Sequence, residues 1–151
     1  MRHNIWVSYF AAVFAQTPQG WVGTEAMLSE AEDVDDVADL MREAAVESYG
    51  DPVVLLVEED DEWFAIVRLD GEGDPRAFVS AARGDGLGAL LQELVGDVPD
   101  GETAGDLHLL DDLGVDAERL VELGERALPG DALATIAELA GFGEEFDRLR
   151  D

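Results

Sequence analysis

A chain of 151 residues is long enough to bury one sizeable core with a small appended subdomain, and too short for two large domains. Its 36 acidic residues stand against 9 basic ones, all arginine, and the resulting net charge of -27 repels phosphate backbones, so no direct nucleic-acid partner is expected. With 47% hydrophobic residues and a mean hydropathy of -0.04 the chain is too apolar for a disordered acidic tail, and the lack of cysteine removes disulfides, thiolate nucleophiles and cysteine-ligated zinc.

The first segment, MRHNIWVSYFAAVFAQ, has a short basic start and an apolar run, yet it is too short to span a bilayer. From Ile5 to Ala15 both alternating sets are mainly apolar, which predicts a strand covered on both faces. A turn at Thr17-Pro18-Gln19-Gly20 leads to a second strand over about Trp21 to Leu28. No acidic residue occurs before Glu25, so this first hairpin is expected inside the sheet, with the charge carried by the remaining surface. Asp33 or Asp35 is suited to cap a helix running to about Ser48, whose Val34, Val37, Ala38, Met41 and Ala45 share a face. Gly50 and Pro52 end it. Val53 to Glu58 and Trp63 to Leu69 read as a second hairpin around Glu59-Asp60-Asp61-Glu62, followed by a short strand from Arg76 to Ser80.

Gly84 to Gly88 opens a helix ending near Val95, and residues 96–105, rich in Gly, Pro and Asp, read as a linker. Beyond it the periodicity is helical only. Leu107, Leu110 and Leu113 suggest one short helix, Asp116 caps a second to about Ala127, and Pro129-Gly130 breaks the chain before a third, capped by Asp131, that runs to Ala140. Phe142, Phe146 and Leu149 mark a last amphipathic turn. The expected fold is α+β: an antiparallel sheet of about five strands, ββαβββ in sequence, with packed helices and an all-helical C-terminal region. Its expected division is a sheet domain over 1–95, a linker over 96–105 and a helical subdomain or arm over 106–151. The first strand's two apolar faces call for cover on both sides, which would bring the helical tail across the sheet.

The residues hold little catalytic chemistry. His3 and His108 lie in no motif with a nucleophile, and Ser8, Ser29, Ser48 and Ser80 lack a nucleophile elbow. Gly84-Asp85-Gly86-Leu87-Gly88 lacks the third glycine of a dinucleotide loop and the lysine of a P-loop. The cluster at 58–62 and the set Asp70, Glu72 and Asp74 do not fit a twelve-residue calcium loop, and read as solvated tips. Asp111-Asp112 and Glu144-Glu145 are adjacent pairs, which on a helix point about 100° apart rather than at one substrate. No cofactor or metal site is expected. The strongest partner-binding candidates are Glu59, Asp60, Asp61 and Glu62, with Trp63 as an aromatic anchor, although core packing competes for that ring.

SYFAAVFA (8–15), VLLVEEDDEWFAIVRLDG (54–71), DLHLLDDLG (106–114) and LPGDALATIAELAGFG (128–143) together resemble the actinobacterial tRNA adenosine deaminase-associated proteins over nearly the whole chain. The resemblance implies association with the deaminase that makes inosine in tRNA, and carries no established site residues. Zinc deaminases use H-x-E and P-C-x-x-C, and neither occurs here, so the chain is not the deaminase itself. The expected role is a non-catalytic, cytoplasmic, acidic interaction or regulatory protein that binds the deaminase or another basic protein. The alternatives are a small-molecule or cation sensor, or a nucleic-acid mimic that competes for a basic groove.

Overall fold

The computed structural model describes residues 9–28, 31–48, 51–59, 62–71, 73–82, 86–96 and 98–150. Strands β1 (Tyr9–Thr17), β2 (Gly20–Glu25), β3 (Val53–Glu59), β4 (Trp63–Leu69), β5 (Arg76–Val79) and β6 (Ala104–Gly105) form one open sheet in the order β2-β1-β3-β4-β5-β6. Every neighbouring pair is antiparallel. The sixth strand lies in the stretch 96–105, where a linker was expected, and its two residues are too few for a periodicity signal.

One correction concerns the first hairpin. Only β1 is interior, whereas β2 is the sheet's edge and exposes Gly20, Val22, Thr24 and Glu25. Freedom from acidic residues therefore did not mean burial. The strand also stops at Glu25 rather than Leu28, although Ala26 N–H still donates to Ala11 C=O and Leu28 is buried. The part of the first expected strand before Tyr9 lies outside the described residues.

The register sorts side chains into two cores, because successive residues of a strand face opposite ways. Ala12, Leu56, Ile66 and Phe78 are partners across four strands and face one side. The adjacent row, Val13, Leu55, Val67 and Ala77, faces the other. Helices α1 (Val34–Ser48) and α2 (Gly86–Val95) close this second side through Val37, Met41 and Leu91. Helix α1 starts where Asp33 accepts from Asp36 N–H at 3.0 Å, while Asp36 accepts from Glu32 N–H at 2.8 Å, satisfying two donors at its N-terminus.

The first side is closed by the C-terminal third. A turn buries Leu109 and Leu110 and leaves Leu107 exposed, and only Asp111–Leu113 form a 3-10 turn, so the expected short helix is replaced by tighter geometry. Helix α3 (Ala117–Arg126) is capped by Asp116, which accepts from Arg119 N–H at 2.8 Å. Helix α4 (Pro129–Ala140) begins at Pro129, so Pro129-Gly130 opens this helix instead of breaking the chain before it. Proline fits there because a first-turn N–H has no helical acceptor to lose. Leu128, not Asp131, occupies the cap position. Helix α5 (Gly143–Arg150) follows Phe142, whose ring stacks on Phe14 at 4.4 Å and meets Trp21 at 4.8 Å. Gly23 is required beneath these rings, since a Cβ there would lie 2.8 Å from Phe14 Cε1.

Candidate interaction surface

The acidic tip between β3 and β4 is organised by short contacts. Glu62 N–H donates to Glu59 C=O at 2.9 Å, closing the chain reversal. Glu59 Oε1 accepts from the indole N–H of Trp63 at 3.3 Å. Asp60 and Asp61 lie outside the described residues. The ring of Trp63 is 2% exposed and belongs to the core beneath α2, so Trp63 does not stand at the surface as an anchor. Burying an aromatic side chain against apolar neighbours outweighs its display, and the indole N–H needs only one acceptor. Trp63 thus holds the base of the tip against the core.

At the other end of the hairpin, Arg68 projects from the apolar strand WFAIVRL onto the face covered by the C-terminal helices. It is 5% exposed, and its guanidinium makes four hydrogen bonds. Nε donates to Asp70 at 3.0 Å, Nη1 to Leu109 C=O at 2.8 Å and to Asp112, and Nη2 to the second oxygen of Asp112 at 2.8 Å. Asp70 also accepts from Arg76 at 2.9 Å, and Arg76 donates to Asp106 at 3.0 Å. Charge-assisted hydrogen bonding to Arg68 holds the Asp112 carboxyl below the usual carboxylate range, and the same bond raises Arg68. Asp111 turns instead to His108 Nδ1 at 2.8 Å. The adjacent carboxylates therefore serve different partners and do not converge on a substrate. Sequence reasoning missed this hub because its members are 41 and 44 residues apart. Its one signal was an arginine inside an otherwise apolar strand.

A second buried charge, Glu58, sits on the same sheet face and pairs with Arg150 of α5 at 3.0 Å. The Arg150 guanidinium also lies 5.2 Å from the Phe10 ring centre. Among the described residues no group of three or more His, Cys, Asp or Glu is arranged to hold a metal. Glu72, His3, Ser8, Ser29, Gly84 and Asp85, weighed above, lie outside the described residues, while Ser80 is buried and its hydroxyl accepts from Phe64 N–H at 2.9 Å.

An open groove of about 480 Å³ lies at the β6 edge. It is lined by Val95 at the end of α2 and Val98 beyond it, Ala104 and Gly105 of β6 with the flanking Thr103 and Leu107, and Val121 and Glu125 of α3. Among the described residues no helix is long and apolar enough to cross a membrane.

The fold and composition define an acidic α+β protein whose two buried charges on one sheet face, Arg68 and Glu58, are paired with Asp112 and Arg150. The chain belongs to the family described as Rv3753c-like tRNA adenosine deaminase-associated protein, whose profile matches residues 9–143. Comparison with curated proteins and with solved structures gave no match.

Proposed function

We propose that the chain is a non-catalytic, acidic interaction protein of the cytoplasm that binds a tRNA adenosine deaminase, or another basic protein, and modulates its stability or substrate access. The observation that carries this reading is membership of a deaminase-associated family by a chain with a net charge of -27. An enzyme that holds tRNA must present a cationic surface to phosphates, and an acidic protein is attracted to the same surface. Glu59, Asp60, Asp61 and Glu62 at the hairpin tip are the proposed first contacts, steering the encounter by charge while Trp63 anchors the tip to the core.

The test is to mix the chain with the tRNA adenosine deaminase of the same genome at micromolar concentration and physiological salt. Co-elution in size-exclusion chromatography is expected, with a dissociation constant that rises steeply with salt. Separate elution would remove the reading. Deamination of an anticodon stem-loop in the presence of excess chain then distinguishes inhibition from stabilisation of the enzyme.

A further inference from the structure

We infer that the β6 groove is a peptide-docking site, and that its occupant is an extended segment of the partner protein in which apolar and cationic side chains alternate. This rests on the reading that the chain binds a basic protein, and it places a binding surface away from the β3–β4 tip.

Strand β6 is the sheet's edge. Asp106 N–H donates to Ala77 C=O, so by antiparallel alternation the backbone groups of Ala104 point to β5 and those of Thr103 and Gly105 point outward. Both outward residues are exposed and line the groove, which makes their N–H and C=O groups a ready ladder for an added strand. Gly105 cannot be filled by another residue. Its φ is +108°, and a Cβ there would lie 2.3 Å from Ala77 C=O. The missing side chain lets β6 lie directly against the β5 backbone, which holds this short edge strand in place.

The floor is apolar, formed by Val95, Val98, Leu107 and Val121, and takes the alternate side chains of an extended strand. The rim is anionic. Glu118 and Glu125 lie three residues before and four residues after Val121, on the same stripe of α3, and both are exposed. Glu102 lies just before β6 and is exposed, while Asp106 just after it is already paired with Arg76. Apolar floor, open backbone ladder and carboxylate rim together select an extended segment with cations on its outward positions. A like-charged or second acidic chain is disfavoured by the same rim.

The probes are two synthetic decapeptides of equal composition and charge, one alternating Arg and Val and one with five Arg followed by five Val, titrated against the full chain at 150 mM NaCl. The alternating peptide is expected to bind about tenfold tighter, and Leu107→Glu or Glu125→Arg to weaken it about tenfold, because each alters one desolvated or charged contact. Both positions are exposed, and unchanged melting curves would show that the variants fold. Amide NMR shifts should concentrate at Thr103, Gly105 and Val121. Equal binding of the two peptides, indifference to both variants, or shifts spread over the acidic surface would each overturn the inference in favour of unspecific charge attraction. Repeating the deaminase co-elution with both variants separates the two claims. If the deaminase binds wild type and variants alike, the groove assignment falls and the interaction stands. If it does not bind wild type, the interaction falls while the peptide titration still decides the groove.

Discussion

Arg68 and Glu58 are opposite charges buried on one sheet face, at the two ends of the β3–β4 hairpin, and each is matched from the C-terminal layer. A buried charge without its partner is costly, so this pair admits one orientation of that layer and penalises the reverse. Arg68→Ala should destabilise the chain by roughly 2–4 kcal/mol in urea melts, since it removes packing and leaves Leu109 C=O without its donor. Asp112→Asn should cost less, about 0.2–1 kcal/mol, because the Asp112 side chain is 64% exposed and water screens the pair. Its effect should depend on pH in a defined direction. The folded carboxyl is held below its unfolded value, so its contribution is fully present above the unfolded pKa of about 3.9 and is lost as the pH falls through the folded one. The stability difference between wild type and Asp112→Asn should therefore be constant near neutrality and shrink below about pH 4.

The elements differ in how plainly their residues announced them. Strands β3 and β4 were legible as apolar runs on either side of an acidic tip, and α1 as an Asp33 or Asp35 cap followed by a regular apolar face, of which Asp33 makes the bond. Strand β2 was placed at the wrong depth because the absence of charge from Trp21 to Thr24 resembles burial, while an edge strand needs only one face covered. The start of α4 was misread because Pro-Gly ends a helix or opens one depending on which side continues. The β6 groove was hidden because two residues of strand, one turn and one helix face meet there from distant stretches of chain. What the two apolar faces of β1 did foretell is a C-terminal layer pressed on the sheet through Phe142, Phe146 and Leu133. Phe142→Ala should cost about 3–5 kcal/mol, since its ring is fully buried between Phe14 and Trp21. If this layer and the sheet unfold as one unit, far-ultraviolet circular dichroism and tryptophan fluorescence will shift together in the variant. A separate early transition in the helical signal would show an independently folding arm.

At the scale of the molecule, one charge distribution governs two opposite responses to salt. The excess of 36 carboxylates over 9 guanidinium groups makes the folded chain repel itself, and compaction raises that cost. Added salt screens it, the Debye length falling from about 30 Å at 0.01 M to about 10 Å at 0.1 M. The few ion pairs lose some attraction under the same conditions, but the Arg150–Glu58 contact is shielded from solvent ions more than the surface carboxylates are. The melting temperature should therefore rise between about 10 mM and 500 mM NaCl, by roughly 2–8 °C for one to two kcal/mol of relieved repulsion in a domain of this size. Binding to a basic partner must move the other way, weakening as the same carboxylates are screened. Measuring both on one preparation separates the two uses of the acidity. Opposite slopes are expected of a surface that meets a cationic partner, whereas a rising melting temperature with no salt-sensitive partner would assign the charge to solubility alone.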